Sequence, residues 1–365
     1  MVENQRKNQS DPVHLRVVES GSEPGFKKVL NSQDFRLPGD HGPHFEYQSE
    51  WWYYTGNLTG EKGERFSYQL TIFRRGLSPQ SRIRESNFAA DQVYFAHFAM
   101  ASLEEQDHRF YERFSRGALG LANANGQPFE VFLEDWRITA LDTDGSRVRL
   151  IAQEQDLALD LELQASKAIV IHGDGGVSAK SSEAGNASYY LSYTRMTTVG
   201  SMRFDENTYQ VEGTSWFDHE WSTSALSEGV VGWDWFSLQL DDQQELMLYV
   251  LRQEDGTVEP VSAGTLVRSD GSLRNLKLDD FSIEVLDLWE SPETGTVYPS
   301  GWVILIPDEG IQLELTPAFE AQEMRVSFTY WEGSVEIDGS IRGVPIIGRG
   351  FVELTGYQES MEGVF

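Results

Sequence analysis

The 365-residue sequence contains no cysteine, which excludes disulfides, thiolate metal sites and cysteine nucleophiles together. Long apolar runs are missing as well. No stretch approaches the roughly 20 apolar residues that a membrane helix needs, and Met1 to Ser10 is polar, reading as neither signal peptide nor membrane anchor. Positive charge is scarce: 29 Lys and Arg stand against 58 Asp and Glu, a formal net charge of -29. Such a surface repels phosphates and anionic lipid headgroups, so nucleic acid is not an expected partner and an anionic membrane is disfavoured. Helical patterns of ten or more residues are nearly absent.

The hydrophobic fraction is 39%, with 33 glycines, which is the composition of a folded globular chain and not of a disordered polyacid. The length exceeds what one core usually supports, so two domains are expected. Aromatics reach 12%; they suit half-buried pleated surfaces and also line pockets for large apolar ligands. The dominant period is two, as in Phe66 to Ile72 and in Leu157, Leu159, Leu161 and Leu163 alternating with Ala158, Asp160 and Glu162. Turn signals such as Asp142-Thr143-Asp144-Gly145, Glu254-Asp255-Gly256 and Asp270-Gly271 separate the runs. Many short antiparallel strands joined by hairpins predict an all-β chain of sandwiches or barrels.

An internal repeat points to two such units. Trp51-Trp52-Tyr53-Tyr54-Thr55-Gly56-Asn57-Leu58, a turn, and Tyr68 to Arg74 resemble Trp233 to Leu240, a shorter turn, and Leu246 to Arg252, at an offset of 182 residues. Each half is expected to open with an equivalent hairpin. The Ser- and Gly-rich stretch Ser222 to Gly232 marks the boundary. The expected organisation is a poorly ordered N-terminal arm over 1–33, a first barrel domain over 34–226 and a second over 227–365.

The densest chemical constellation is Trp216-Phe217-Asp218-His219-Glu220-Trp221, followed by Trp233-Asp234-Trp235. An apolar wall disfavours a carboxylate, so acids set among indoles can serve as proton donors with raised pKa. On a regular strand Trp216, Asp218 and Glu220 share one face, and Phe217, His219 and Trp221 the other. The plainer reading fills a barrel with one face and leaves solvated acids on the other.

A second cluster runs Asp40-His41-Gly42-Pro43-His44-Phe45-Glu46, then Glu50-Trp51-Trp52-Tyr53-Tyr54. His41 and His44 with Glu46 or Glu50 invite a metal reading, but in a Gly-Pro loop without an established ligand geometry no metal is expected. The alternative sets Glu50 and one histidine across the mouth of a barrel, as polar members of an aromatic pocket. Histidines capping backbone carbonyls are the plain explanation. His97, in the apolar run Val93 to Phe98, reads first as a hydrogen-bonded core histidine and second as a site residue. Ser215, Ser222 and Ser224 near His219 lack a nucleophile elbow, and Gly173-Asp174-Gly175-Gly176 introduces no helix, so neither a serine hydrolase nor a phosphate cradle is expected.

Several segments together resemble the bacterial AttH/CrtC family of lipocalin-like proteins, which includes carotenoid 1,2-hydratase. They are Asp40-His41-Gly42-Pro43-His44, Ser49 to Leu58, Phe217-Asp218-His219-Glu220-Trp221-Ser222, Tyr298-Pro299-Ser300-Gly301-Trp302, Tyr330-Trp331-Glu332-Gly333 and Gly350 to Tyr357, in order along almost the whole chain. The resemblance implies two lipocalin-like antiparallel β-barrels packed side by side, with a hydrophobic pocket at or near their interface. Members are described as carotenoid hydratases, as secreted hydrolases and, in distant branches, as cyclases of polyene natural products. In the hydratases the motif matched by Asp218, His219 and Trp221 is associated with catalysis. Glu220 stands where the hydratase branch has Asn and resembles the AttH branch instead. A secreted or periplasmic location is also implied. No cofactor is expected.

On this reading the catalytic candidates are Asp218, His219, Asp234 and Glu50. The ligand-binding candidates are Trp51, Trp52, Tyr54, His97, Trp216, Glu220, Trp221, Trp233 and Trp235. Hydration of an isoprenoid double bond needs an acid that protonates carbon, a surface tolerating the cation, and a positioned water: Asp218, or Asp234, as acid, indole faces for the cation, His219 for the water. In ester or lactone hydrolysis His219 is instead the base on water and Asp218 its orienter. A second hypothesis is a carrier of a hydrophobic small molecule, its acids only solubilising the rims. A carbohydrate-active protein with Trp platforms and paired acids is the third. The sequence leaves the substrate and the oligomeric state open.

Overall fold

The computed structural model describes residues 25–79, 86–223 and 226–362. Its described residues form two large antiparallel sheets and a small two-stranded ribbon, with three short 3-10 turns and no α-helix. The first sheet contains β1 (Ser49–Gly60), β2 (Arg65–Gly76), β3 (Gln92–Ser102), β4 (Asp107–Arg116), β5 (Ala122–Gly126), β6 (Phe129–Leu133), β7 (Trp136–Ala140), β8 (Arg147–Gln153) and β9 (Leu157–Ala165). It continues through β10 (Val170–Ile171), β11 (Val177–Ala179), β12 (Ala187–Phe204) and β13 (Asn207–Ser222). Its order is β4-β3-β2-β1-β13-β12-β9-β8-β7-β6-β5, with β10 and β11 both paired to β12.

This sheet curls into a nearly closed barrel. β5 and β6 come against β3, and the outer strand β4 is tied across the gap by Arg109 Nη1 donating to Asp156 (3.0 Å) and Arg113 Nε donating to Glu154 (2.8 Å). The alternation Leu157, Leu159, Leu161, Leu163 points four leucines into the core and leaves Asp160 and Glu162 to pair outward with Arg149 and Arg147.

The second sheet contains β14 (Val230–Leu240), β15 (Glu245–Gln253), β16 (Ala263–Val267), β17 (Leu273–Lys277) and β18 (Ser282–Val285). After a small two-stranded ribbon, β19 (Leu288–Glu290) and β20 (Val297–Pro299), come β21 (Trp302–Ile306), β22 (Ile311–Pro317), β23 (Glu323–Arg325), β24 (Thr329–Ile341) and β25 (Val344–Leu354). The order is β17-β16-β15-β14-β25-β24-β22-β21-β18, around a separate core that includes Phe236, Trp302 and Trp331. The repeat seen in sequence is carried by topology. β1 lies between β2 and the last strand of its sheet, β13; β14 lies between β15 and the last strand of its sheet, β25.

These equivalent hairpins meet. Tyr53, Tyr190 and Trp216 of the first sheet pack on Trp235, Met247, Tyr249 and Phe351 of the second. β1 and β13 are therefore covered on both faces, which is why Trp51 to Tyr54 reads as an unbroken aromatic run and why Asp218 and Glu220 are buried along with the aromatics of Trp216 to Trp221. Polar ties cross the junction: Tyr53 donates to Glu332 (2.6 Å), and Arg195 Nε to Glu245 (2.6 Å).

Of the expected arm over 1–33, residues 1–24 lie outside the described residues. Residues 25–33 are docked against the first barrel. Phe26 and Val29 are buried, the amide of Lys27 donates to the carbonyl of Glu46 (2.8 Å), and Tyr189 donates to the carbonyl of Asn31 (2.7 Å). The two apolar side chains give this piece something to bury, and that holds it down.

Candidate functional site

Between the two sheets lies a cavity with an empty volume of about 1040 Å³, its open mouth included. Trp51, Tyr53 and Phe73 line it from the first sheet, and Trp233, Trp235 and Leu251 from the second. Alternation along β1 and β14 puts these side chains on the outer face of each sheet, where the two meet. Among the described residues, four charged side chains break the apolar lining: Lys180, Asp218, Glu220 and Glu353.

Asp218 is buried, and three donors converge on it. Trp216 Nε1 (2.7 Å) and the Ser192 hydroxyl reach Oδ1, and the Tyr190 hydroxyl reaches Oδ2 (2.7 Å). Burial raises the carboxyl more than these donors lower it, and Glu220 adds repulsion, so the group is pushed up to about 7. Glu220 accepts from the Ser188 hydroxyl and is paired with Lys180 at 2.9 Å. Burial works against the Lys180 ammonium, but Glu220 and neighbouring groups outweigh it and hold the lysine charged, with Nζ over the rings of Tyr190 (5.6 Å) and Tyr249 (4.9 Å).

On another part of the wall Glu353 faces Glu332 directly across β24 and β25. Tyr53 donates to Glu332 and Trp233 Nε1 to Glu353. Burial, then the charge of Glu353, pushes Glu332 well above the usual carboxylate range, and burial raises Glu353 as well. Two adjacent buried carboxyls disfavour double ionisation, so this pair carries a proton at neutral pH.

The reverse face of β1 and β13 holds a different assembly. Glu50 is fully buried, with Oε1 accepting from His44 Nδ1 (2.8 Å) and His219 Nε2 (2.9 Å), and Oε2 from Arg74 Nε (2.8 Å) and the His44 amide (2.9 Å). Arg74 also donates to the carbonyls of His44 (3.0 Å) and Tyr47 (2.8 Å). Burial alone would raise Glu50, but Arg74 and the two histidines hold it far below the usual range. His44 opposes its own burial through Asp40 and Glu50 and rises to about 9, a cation stacked on Trp221 at 3.8 Å. His219, buried beside that cation, is lowered and stays neutral. The ligand atoms of His44, Glu50 and His219 lie within 4.8 Å of one another. A divalent cation does not suit them: both histidines would have to surrender their N–H bonds to Glu50, and the ion would sit against Arg74.

The predicted residues thus fall into separate places. Trp51, Asp218, Glu220, Trp233 and Trp235 line the cavity; Trp216 stands behind it as a donor to Asp218. His97 is one contact further out, its Nδ1 2.9 Å from the Tyr330 hydroxyl of the lining and its Nε2 3.1 Å from Glu112. Glu50, Trp52, Tyr54, His219 and Trp221 occupy the reverse face, with Trp52 Nε1 donating to the His41 carbonyl (2.8 Å) and Tyr54 stacked on Phe217 (4.6 Å). Asp234 is on the reverse face of β14, held by Arg252 (2.8 Å) and Tyr357 (3.0 Å). Arg74 with Glu50 and Arg252 with Asp234 make similar carboxylate anchors in the two halves.

Sequence reasoning passed over Tyr53, Lys180, Tyr190, Tyr330 and Glu353. Tyr53 was within reach, because alternation puts it with Trp51 and not with Trp52 and Tyr54. Lys180 follows β11 in a turn-rich stretch, and no spacing rule ties it to Glu220.

Two sheets joined through an aromatic, carboxyl-bearing cavity define the class: a double-barrel, lipocalin-like all-β protein. The AttH-like family pattern matches residues 28–357, and the chain belongs to that family. A putative AttH from Nitrosomonas europaea is similar over 91% of this chain and 100% of its own, at 30% identity and a TM-score of 0.81. Kievitone hydratase from Nectria haematococca shares the fold over 92% of this chain and 98% of its own, at 16% identity and a TM-score of 0.70. CghA, solved with Sch210972, shares it over 94% and 98%, at 11% identity and a TM-score of 0.55. No curated protein matches the sequence.

Proposed function

We propose that this protein is an enzyme that performs acid-base chemistry, of the hydration or cyclisation type, on a large neutral polyene or isoprenoid-like molecule held in the cavity between its sheets. The observation that carries the reading is Asp218: a carboxyl on the wall of an aromatic cavity, pushed up to about 7 by burial, so that it holds a proton near neutrality yet can release it. In a hydration, Asp218 gives its proton to one carbon of a double bond. The cation left on the other carbon lies against the indole faces of Trp51 and Trp235, and water adds to it. The proton lost by that water returns to Asp218, so the net change is the addition of one water. A hydratase among the structural neighbours agrees with this at the level of fold.

The cavity charge favours a neutral substrate. Lys180 is already matched by Glu220, leaving carboxyls in excess at Asp218 and Glu353. His219 and Glu50 take no part in this reading. On the reverse face His219 donates to the fully buried Glu50, away from the cavity.

A carrier role is the second reading, favoured by the three donors on Asp218, which would equally suit an inert carboxylate. Purification from the native host, solvent extraction and mass spectrometry of wild type and Asp218→Asn separate the two. An unsaturated precursor in the variant against a hydrated or cyclised product in wild type supports the enzyme. The same unaltered molecule in both supports the carrier.

A further inference from the structure

Asp218 is joined to a buried histidine that the acid-base reading does not use. The Ser192 hydroxyl, directly opposite Asp218 in the pairing of β12 and β13, donates to Asp218 Oδ1. His172 Nε2 is 2.8 Å from Ser192 Oγ, and its Nδ1 is 2.9 Å from Thr265 Oγ1 on β16 of the second sheet. His172, Ser192 and Thr265 are all buried, and the imidazole packs 4.3 Å from the Tyr190 ring. The result is an unbroken chain, Thr265–His172–Ser192–Asp218, running from one sheet to the other behind the cavity.

Donor counting fixes the direction of this chain. With Asp218 ionised, Ser192 spends its one proton on Oδ1, so His172 donates from Nε2 and accepts at Nδ1 from Thr265. With Asp218 protonated, the donors must rearrange. Trp216 Nε1 can only donate, and Tyr190, which already accepts from Trp235 Nε1 (3.1 Å), would need a new acceptor for its own proton if it stopped donating to Oδ2. Ser192 has an alternative at hand. It accepts from Asp218 and donates to His172 Nε2, and His172 becomes the Nδ1–H tautomer, donating to Thr265.

We propose that His172 is a positioning residue for Asp218: a neutral imidazole whose tautomer reverses, through Ser192, each time Asp218 gains or loses its proton. Both arrangements keep Ser192 and His172 hydrogen-bonded. The change of tautomer takes one proton from Nδ1 and supplies one to Nε2 by exchange with water, with no net gain or loss at the imidazole. It therefore follows the protonation state of Asp218 and does not carry the proton given to the substrate. This rests on the reading of Asp218 as the acid. Burial and then the charge of Lys180 lower His172 to about 3, in keeping with an imidazole that changes tautomer and not charge. The other groups facing Asp218 are Glu220 beside it on β13, Tyr190 on β12, Lys180, Tyr53 on β1 and, across the cavity, Tyr249 and Glu353.

The test uses the full chain with 15N-labelled histidine and 13C-labelled aspartate. Seven histidines are present; the His172 signals are those lost in His172→Gln, or those moved by the isosteric Thr265→Val if the first variant fails to fold. The Asp218 carboxyl is identified by Asp218→Asn. As pH is taken through neutrality, the expected result is exchange of the protonated and bare nitrogen signatures of His172, at the midpoint of the Asp218 carboxyl signal, without imidazolium formation. In Ser192→Ala that exchange disappears while Asp218 still titrates. A His172 tautomer that stays fixed while Asp218 titrates, a His172 that becomes cationic near neutrality, or an Asp218 that does not titrate there each overturns the proposal. Failure of the enzymatic reading registers separately, as an unaltered ligand in wild type and Asp218→Asn alike, and leaves the NMR coupling as it is.

Discussion

Asp218 and His219 are consecutive residues of β13 that open on opposite sides of the first sheet. Asp218 faces the inter-sheet cavity with Glu220, whereas His219 faces the reverse side and donates to Glu50 at 2.9 Å. One ligand in the cavity therefore meets the aspartate and not the histidine. Water activation or proton return within the cavity falls to the carboxyl itself or to groups on its own face.

Replacing Asp218 by Asn is expected to abolish conversion of the native ligand, a loss on the order of 10² to 10⁴ in rate, while leaving the fold intact. It also changes how stability responds to pH. The folded pKa of about 7 lies above the unfolded value of 3.8, so the unfolded chain releases a proton that the native chain keeps. This contribution falls away as pH rises from about 4 through about 7, by roughly 4 kcal/mol. Urea titrations of wild type and variant across that range should diverge by this much; parallel curves would show that Asp218 is ionised throughout.

The anchor at Glu50 is a structural claim with its own test. Arg74 is fully buried and satisfies Glu50 and two backbone carbonyls, so Arg74→Met strands a carboxylate at the centre of the barrel end. A loss of roughly 3 to 5 kcal/mol in unfolding free energy is expected. Ligand retention by the folded fraction should be unchanged, because neither residue lines the cavity. A variant with native stability and lost ligand would place this cluster in the site after all.

His44 predicts an alkaline limb of the stability profile. Its folded pKa, about 9, lies above the unfolded value of 6.5, so its contribution is complete below 6.5 and disappears as pH rises through about 9. The amount is roughly 3 kcal/mol, and it originates in Asp40, 3.5 Å away, and Glu50. In His44→Gln the denaturation midpoint should be lower at neutral pH and nearly flat across that interval.

How much of this was legible in the sequence follows from what alternation can and cannot encode. Leu157 to Leu163 declared one wet face and one dry face, and the hairpins at Trp51 and Trp233 declared a repeat that the sheet orders carry. Trp51 to Tyr54 declared only that both faces are covered, so which residue faces the cavity and which the barrel was a matter of phase. Alternation did separate Asp218 from His219. It could not say that Asp218 would meet Tyr190 and Ser192, or that Lys180 and Glu353, 173 positions apart in sequence, would line one cavity. Those encounters depend on how the two sheets dock, and no local pattern records that.

The proposed neutral substrate is tested through the charge arrangement of the cavity. Its one cation, among the charged lining residues, is Lys180, and Glu220 neutralises it at 2.9 Å; Asp218 and Glu353 remain on the wall, each raised by burial. Among the described lining residues a ligand carboxylate entering here meets no cation other than the paired Lys180, and it adds a further anion to a desolvated site. A polyene alcohol should therefore bind more tightly than the carboxylic acid of the same skeleton at neutral pH, with a gap of at least tenfold for about 1.4 kcal/mol of repulsion. Quenching of the cavity tryptophans Trp51, Trp233 and Trp235 reports the binding directly. Glu220→Gln frees Lys180 and should narrow the gap by recovering affinity for the acid. Equal affinity of wild type for both ligands, or no change in the variant, would mean that Lys180 is already available to an anion and that the preference for a neutral substrate is mistaken.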